Sequence, residues 1–184
     1  MGSQQQTSNT PQPLRDSWQT PQWLFDWAEE RFGEIWFDLA ASKGNAKCLH
    51  FFSKEDNALS IDWHEELHFT DFNWCNPPYS ETGKWLKKGW EEAQNGFRSV
   101  FLVPTPNGEN GFRDYVLGKA SEIIFINGRV GFELPNDDGT ATPVSGNTRG
   151  SCLIVYNRRY EGQTLMSWVN RDDIKAQFNA AGNE

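Results

Sequence analysis

The chain has 184 residues, of which 37% are hydrophobic and 14% aromatic. This composition is sufficient for the core of one domain and too apolar for a disordered chain. No run approaches the ~20 apolar residues that a membrane-spanning helix needs, and we expect no secretion signal because the N-terminus lacks a charged and an apolar region. The formal net charge of −8 argues against a broadly basic surface, so for a nucleic-acid-binding protein it implies local clusters of Lys and Arg, weak affinity, or help from a partner.

The three cysteines, Cys48, Cys75 and Cys152, are odd in number and widely spaced. They form no CxxC pair, which predicts buried thiols in a reducing cytosol. Two of the three histidines, His64 and His68, lie four residues apart, and we expect them on a solvated surface. These patterns therefore predict no metal site.

We expect a disordered tail at residues 1–13, which are rich in Gln, Ser, Thr and Pro, and a single domain at residues 14–184. A helix is predicted to begin after Thr20 and Pro21, with Thr20 as its N-cap, and to end near Gly33. We then expect an apolar run at 35–39, a short helix at 45–51, and loops with a short embedded strand at 54–67.

The second half of the chain alternates strands with helices. The predicted strands are 72–75, 98–103, 123–127 and 152–156, with 128–133 as a hairpin arm. The predicted helices are 82–93, 112–117 and 172–181, and polar loops are expected at 104–111 and 134–150. This alternation predicts an α/β sheet, which binds its ligands at the carboxyl ends of its strands. Asn76 falls at such an end.

The four residues Asn76, Pro77, Pro78 and Tyr79 directly follow the strand predicted at 72–75. The Asn76 side-chain oxygen and the Pro77 carbonyl can both accept hydrogen bonds from the exocyclic amine of a nucleobase, which frees the nitrogen lone pair to attack a methyl group. Proline fixes φ and has no competing N–H, and Tyr79 offers a flat face to a flipped base. Taken alone, the same residues are also typical of an ordinary turn; the flanking strand and helix favour the chemical interpretation.

After its first 13 residues, nearly the whole chain resembles the phage-type Dam-like DNA N6-adenine methyltransferases. The resemblance is carried by residues 16–21 (DSWQTP), 37–42 (FDLAAS), 45–48 (NAKC), 62–63 (DW), 74–80 (WCNPPYS) and 128–132 (GRVGF). It implies a Rossmann-like α/β fold that transfers methyl groups from S-adenosylmethionine to N6 of adenine at specific sites in double-stranded DNA. It also implies a phage or prophage enzyme that acts in the cytoplasm of a bacterial host and protects DNA from restriction.

The resemblance assigns the donor to one set of residues. These implied donor contacts are Trp18, Gln19, Thr20, Pro21, Asp38, Ala40, Ser42 and Asn76. Thr20 and Pro21 would lie over the methionine end, and Asp38 would accept a hydrogen bond from the donor's α-amino group. Small residues after Asp38 would let the backbone approach the donor closely.

The chain departs from the usual methyltransferase pattern before Asn76. The FxGxG-type loop is absent, and residues 37–41 (FDLAA) take its place. Only 38 positions separate Asp38 from Asn76, whereas one βαβ unit needs ~30 residues or more, so we expect the second and third strands to be shortened or missing. Asp56 and Asp62 are the candidates for the donor ribose, and Trp63 could equally stack on the donor adenine or belong to the core.

Contacts to DNA are expected from Tyr79, Lys84, Arg129 and Arg149. The lysines of the helix at 82–93, these two arginines, Arg158 and Arg159 could form a basic crescent. Arg129 and Arg149 could also read guanine edges. We expect a monomer or weak dimer. Two alternatives stay open: the same turn serves methylation of cytosine N4, RNA or protein, and an inactive donor-binding interaction protein would also fit.

Overall fold

A seven-stranded sheet forms the centre of the computed structural model, which describes residues 16–67, 71–136, 138, 140–144, 147–158 and 160–180. The tail predicted at 1–13 lies outside this range. The helices are α1 Gln22–Phe32, α2 Trp63–Leu67, α3 Thr82–Gln94, α4 Asn110–Tyr115 and α5 Arg171–Ala180. The strands are β1 Phe37–Asp38, β2 His50–Phe51, β3 Phe72–Cys75, β4 Arg98–Pro104, β5 Glu122–Asn127, β6 Glu133–Pro135, β7 Ala141–Pro143, β8 Ser151–Asn157 and β9 Leu165–Asn170.

The sheet has the order β2-β1-β3-β4-β8-β5-β9, and a separate hairpin pairs β6 with β7. All its strands are parallel except β8, which runs antiparallel to both β4 and β5. The chain leaves β1 for β2 on one side and then returns to β3 on the other side of β1. Such a reversal of strand order opens a crevice at the carboxyl ends of β1 and β3, and α/β sheets bind ligands in crevices of this kind. Asp38 ends β1 and Asn76 follows β3, so both residues border this crevice.

Two apolar layers pack against the sheet. Strand β4 supplies both, because Phe101 and Val103 belong to the layer beneath α3 and α4, while Val100 and Leu102 belong to the layer beneath α1 and α5. A strand buried on both faces has a continuous apolar run rather than an alternating one, which is why the sequence predicts a strand at 98–103, one residue short of β4 as observed.

Along the described part of the chain, β2 is the only strand between β1 and β3, and it has two residues. This agrees with the expected shortening, but the helix predicted at 45–51 is wrong. His50 and Phe51 pair in parallel with Phe37 and Asp38, and this long-range pairing overrides the local preference. The strand predicted within 54–67 is also wrong, because that segment forms a 3₁₀ turn, Ala58–Ser60, followed by α2.

Helix α1 ends at Gly33 as predicted, with φ of 91° and its N–H donating to the Glu29 carbonyl. Its N-cap position is occupied by Pro21, not by Thr20 as predicted. The helix therefore begins one residue later than expected, and the Thr20 hydroxyl is buried with no hydrogen-bond partner among the described residues. This frees the Thr20 hydroxyl for another role at the crevice.

Two elements beyond residue 128 differ from the prediction. The polar loop expected at 134–150 contains the β6–β7 hairpin. The strand at 151–157 is not the last one, because β9 follows it and pairs in parallel with β5. Strand β9 is exposed along much of its length, which explains why its sequence lacks the apolar run by which β4 and β8 were found.

Candidate active site at the carboxyl edge of the sheet

Asn76 is held in one orientation by the backbone of a distant segment. Its side-chain Nδ2 donates to the Trp18 carbonyl at 2.9 Å, which fixes which way the amide points. Its Oδ1 atom is buried and has no hydrogen-bond partner among the described residues. Leaving a buried acceptor unpaired costs about 1–3 kcal/mol, so the geometry is that of an acceptor kept available for an incoming N–H donor.

The segment at residues 16–21 is clamped on both sides. On one side the Asp16 carboxylate accepts hydrogen bonds from the Ser80 hydroxyl at 2.9 Å and from the Ser80 N–H at 3.3 Å. On the other side Gln19 and Glu133 exchange backbone hydrogen bonds of 2.8 and 3.1 Å. The segment therefore bridges the Asn76–Tyr79 turn and strand β6, and forms one wall of the site.

Three aromatic rings pack together behind this wall. Trp18 stacks on Phe132 with centroids 5.3 Å apart and an interplanar angle of 17°. Tyr79 meets both rings edge-on, at 6.3 Å from Trp18 and 5.8 Å from Phe132. Phe132 was not predicted as a site residue. It belongs to the GRVGF stretch, but nothing in the sequence alone indicates that it packs against Trp18 and Tyr79.

The Tyr79 hydroxyl is buried and lacks a hydrogen-bond partner among the described residues. Burial, with the nearby Cys152, raises the pKa of this phenol well above its usual range, so Tyr79 remains neutral. The residue therefore offers an aromatic ring rather than an ionisable group. Next to Tyr79 lies a cavity of about 160 Å³, bounded by α3, α4 and the loop after β4.

Asp38 ends β1 with its carboxylate almost fully buried. Oδ1 accepts a hydrogen bond from the Ala40 N–H at 3.3 Å, and Oδ2 accepts one from the Lys47 N–H at 3.1 Å. Burial raises the pKa of Asp38 to about 6, and these two N–H donors oppose the rise. Each oxygen retains a further lone pair, so Asp38 can shape the turn after β1 and still accept a hydrogen bond from a ligand.

The remaining predicted donor contacts lie along the loops after β1 and β2. Ser42 donates its N–H and its hydroxyl to Asn45 Oδ1, at 2.6 and 2.9 Å. Asp56 is exposed, and its carboxylate accepts hydrogen bonds from the Ser53 N–H and hydroxyl at 2.7 Å each. Asp56 and Asp62 were both predicted as candidates for the donor ribose. Asp56 is the one that lies closer along the chain to the carboxyl end of β2, at Phe51.

Asp62 and Trp63 have structural roles. Asp62 accepts a hydrogen bond from the Glu65 N–H at 3.0 Å, which caps the start of α2. Trp63 is fully buried, donates its indole N–H to the Ala58 carbonyl at 2.8 Å, and packs against Trp85. Of the two interpretations of Trp63, the core one is therefore correct, because no face of the ring is open to a donor adenine.

Comparison with known proteins identifies the family. The sequence model of the family described as DNA N-6-adenine-methyltransferase (Dam) matches residues 7–180. The chain belongs to this family. It is 31% identical over 177 residues to a DNA N-6-adenine-methyltransferase of Escherichia phage T1, covering 88% of this chain and 71% of the relative. It is 29% identical over 172 residues to one of Haemophilus phage HP1, covering 91% and 94%.

Membership of the Dam family confirms the resemblance and makes the chain an adenine-specific DNA methyltransferase. The matched range contains the Asn76–Tyr79 turn, the clamped segment at 16–21 and the turn after Asp38.

The charges of this Dam-family chain are largely paired on the α3 side of the site. Lys84, Lys87 and Lys88 form ion pairs with Glu81, Glu91 and Glu92 respectively. The predicted basic crescent therefore has no excess of positive charge along α3.

The two arginines predicted to contact DNA have different surroundings. Arg149 pairs with Glu109 at 2.5 Å. The Arg129 guanidinium donates to the Asn147 carbonyl at 3.4 Å and, within the described residues, to no carboxylate. Their roles in DNA contact, like that of Lys84, stay predictions, and of the two only Arg129 is placed to offer its full charge.

Residues 64–68 read HEELH, which matches the HExxH pattern of zinc metalloproteases. Helix α2 has only five residues, and His68 lies outside the described residues. Within the described part of the chain, no group of three or more His, Cys, Asp or Glu side chains is placed to hold a metal ion. The helices described there are also too short or too polar to span a membrane.

Proposed function

We propose that the chain transfers a methyl group from S-adenosylmethionine to N6 of an adenine flipped out of duplex DNA, and that the Asn76 turn binds the amine. The observation that carries this proposal is the buried Asn76 Oδ1, which has no partner among the described residues while Nδ2 is fixed on the Trp18 carbonyl. An acceptor held in this way is available to an amine at no cost of reorientation.

The crevice between β1 and β3 suits a polar donor molecule. Trp18 Nε1 and Thr20 Oγ1 are buried without partners among the described residues, and the Asp38 carboxylate lies at the end of the neighbouring strand. These groups would hold the donor's polar ends, and the crevice lies at the topological switch point of a Rossmann-like sheet. When bound, S-adenosylmethionine supplies a methyl group activated by its sulfonium.

Asn76 and Pro77 would activate the acceptor. The amine of adenine is a weak nucleophile because its lone pair is delocalised into the ring. Hydrogen bonds from both N–H groups, one to Asn76 Oδ1 and one to the Pro77 carbonyl, would draw the nitrogen toward tetrahedral geometry and localise the lone pair. The proton released after transfer can pass to water, so the residues contribute positioning and electrostatics.

Tyr79 would stabilise the flipped adenine. Extruding a base costs a few kcal/mol, and stacking on an aromatic ring returns about 1–3 kcal/mol. The Tyr79 ring is fixed by its contacts with Trp18 and Phe132 and borders the cavity beside α3 and α4. This arrangement supports a base stacked at the mouth of that cavity.

The proposal extends to the cellular setting. Two similar proteins are DNA N-6-adenine-methyltransferases of bacteriophages, and all three cysteines of this chain are free. Both observations support action in the reducing cytoplasm of an infected bacterium, with methylation of DNA as protection against restriction.

Methyl transfer from tritiated S-adenosylmethionine to unmethylated duplex DNA, RNA and protein tests the proposal. Nuclease digestion should recover the label as N6-methyladenine from DNA alone. Label in N4-methylcytosine, in RNA or in protein would refute the acceptor. Calorimetry with S-adenosylmethionine tests the donor separately, and an absence of donor binding would refute that assignment.

A further inference from the structure

Trp168 is a large aromatic side chain on the surface of strand β9. It is 68% exposed and stacks on Phe125 of the neighbouring strand, with centroids 5.2 Å apart and an interplanar angle of 23°. The two residues are direct partners in the β5–β9 register, so the sheet holds the Trp168 ring in a fixed plane. An exposed tryptophan that is held in a fixed orientation is typical of a binding surface.

The ring forms one wall of a groove of about 470 Å³. Ile126 and Val169 contribute apolar surface, and Asn127 and Asn170 end the two strands side by side. A flat ring beside side-chain amides is suited to a nucleobase, because the ring stacks on its face while amides hydrogen-bond to its edge. The size falls within the range of ordinary ligand pockets.

This groove lies next to the site where the adenine is proposed to bind. Pro104 and Pro106 line the cavity beside Tyr79, whereas Thr105, between them, lines the Trp168 groove. Both sites are also at the carboxyl edge of the sheet, where β4, β5 and β9 end. A DNA strand that places one base against Tyr79 would cross this loop to reach Trp168.

Positive charge is available on the groove side. Arg129 and Arg171 follow closely after Asn127 and Asn170, and the Arg171 guanidinium donates to the Arg129 carbonyl at 3.0 Å. Asp172 pairs with Arg171, while Arg129 donates only to a backbone carbonyl within the described residues. Since the lysines of α3 are paired with glutamates, Arg129 is the better placed cation for a phosphate leading into the groove.

We infer that the Trp168 groove binds a second nucleotide of the substrate DNA, adjacent to the target adenine, by stacking its base on Trp168. The inference rests on the proposed function, because it places the second nucleotide relative to the adenine at Tyr79. Strand β9 would then bind the DNA without taking part in methyl transfer.

The test combines a protein variant with modified DNA. Trp168→Ala should bind duplex DNA about 5-fold to 150-fold more weakly, the range that stacking of one base covers. Trp168→Phe should recover part of this loss. Leu165→Ala is the matched control, since Leu165 is 59% exposed on the same strand but does not line the groove; it should bind DNA as the wild type does.

Duplexes with a single abasic position near the target identify the stacked base. One such position should weaken binding to the wild type and have no further effect on Trp168→Ala. DNA affinity of Trp168→Ala within twofold of the wild type would overturn the inference. So would sedimentation showing a wild-type dimer that Trp168→Ala converts to monomer, because the groove would then be an interface between two copies.

Refutation of the proposed function and refutation of the second nucleotide site give different experimental results. If the wild type itself transfers no methyl group to DNA, the function is refuted whatever Trp168 does. If the wild type methylates DNA and Trp168→Ala binds DNA equally well, only the second nucleotide site is refuted. Donor binding by Trp168→Ala, which should equal that of the wild type, shows that the variant is folded.

Discussion

Replacing Asn76 with alanine should separate catalysis from stability. The side chain makes one hydrogen bond within the described structure, from Nδ2 to the Trp18 carbonyl, and its other polar atom, Oδ1, is buried without a partner there. If Oδ1 serves the adenine amine, its removal affects the reaction and leaves the fold nearly unchanged.

The magnitudes follow from the two atoms. Loss of the Nδ2 bond costs about 0.5–1.5 kcal/mol of unfolding free energy, whereas deleting a buried unpaired oxygen returns about 1–3 kcal/mol. The net change in the free energy of unfolding should therefore lie between a loss of about 0.5 kcal/mol and a gain of about 2.5 kcal/mol. By contrast, loss of one preorganised hydrogen-bonding group from a reaction site lowers the rate by about 10²–10³.

Single-turnover methyl transfer on saturating DNA measures the rate, calorimetry measures donor affinity, and urea unfolding measures stability. The donor should still bind to Asn76→Ala, because in the proposed site Trp18, Thr20 and Asp38 would supply the other contacts. A transfer rate within threefold of the wild type would refute the role of Asn76 in activating the amine.

Asn73→Ala is the matched control, on the strand that directly precedes Asn76. Asn73 is also buried, and its Nδ2 donates to the Asp71 and Arg98 carbonyls at 3.1 Å each, while Oδ1 has no partner among the described residues. Its replacement removes two hydrogen bonds instead of one, so this variant should be the less stable of the two. Because Asn73 lies away from the carboxyl edge, the folded variant should transfer methyl groups at the wild-type rate.

Three further variants test other parts of the site. Asp38 has a pKa of about 6 in the fold, against 3.8 ordinarily, so the native state binds this proton more tightly than the unfolded chain does. The contribution of Asp38 to the free energy of unfolding should therefore fall by about 2 kcal/mol from pH 4 to 6, and urea unfolding should show no such fall in Asp38→Asn. Tyr79→Phe deletes a buried unpaired hydroxyl and keeps the ring, so it should raise the unfolding midpoint and leave the methylation rate within threefold. A Cβ at Gly111 would lie 2.7 Å from Gly83 Cα, so Gly111→Ala should force α3 and α4 apart, lower stability by about 1–3 kcal/mol, and reduce turnover on DNA.

The centre of the fold was predictable because its information is local. Strand β3 was predicted with its observed bounds, Phe72–Cys75, and α3 to within one residue, since a continuous buried strand, a proline turn and an amphipathic helix follow one another directly. The same locality made the Asn76–Tyr79 turn recognisable.

What the sequence could not predict depends on long-range pairing. Two-residue β2 exists only because it pairs with β1, and exposed β9 only because it pairs with β5, so neither leaves a periodic pattern. Phe132 enters the site because Glu133 pairs with Gln19 across more than 100 positions. The prediction of Thr20 as the N-cap was wrong because Thr20 is buried. Its burial depends on the long-range contacts of residues 16–21, which the sequence does not show.

Asp38 explains how the site manages without a glycine-rich loop. Glycines usually let a backbone turn tightly beside a cofactor, but here the buried carboxylate accepts the Ala40 and Lys47 N–H groups and so holds the turn after β1 from inside. The hydrogen bonds of one acidic side chain thus fix the turn that glycines would otherwise make possible. The same carboxylate would then position the donor, which means that Asp38→Asn should weaken donor binding more at pH 7, where the wild-type group is ionised, than at pH 5, where it is mostly protonated. An equal loss at both pH values would show that Asp38 acts only through the turn.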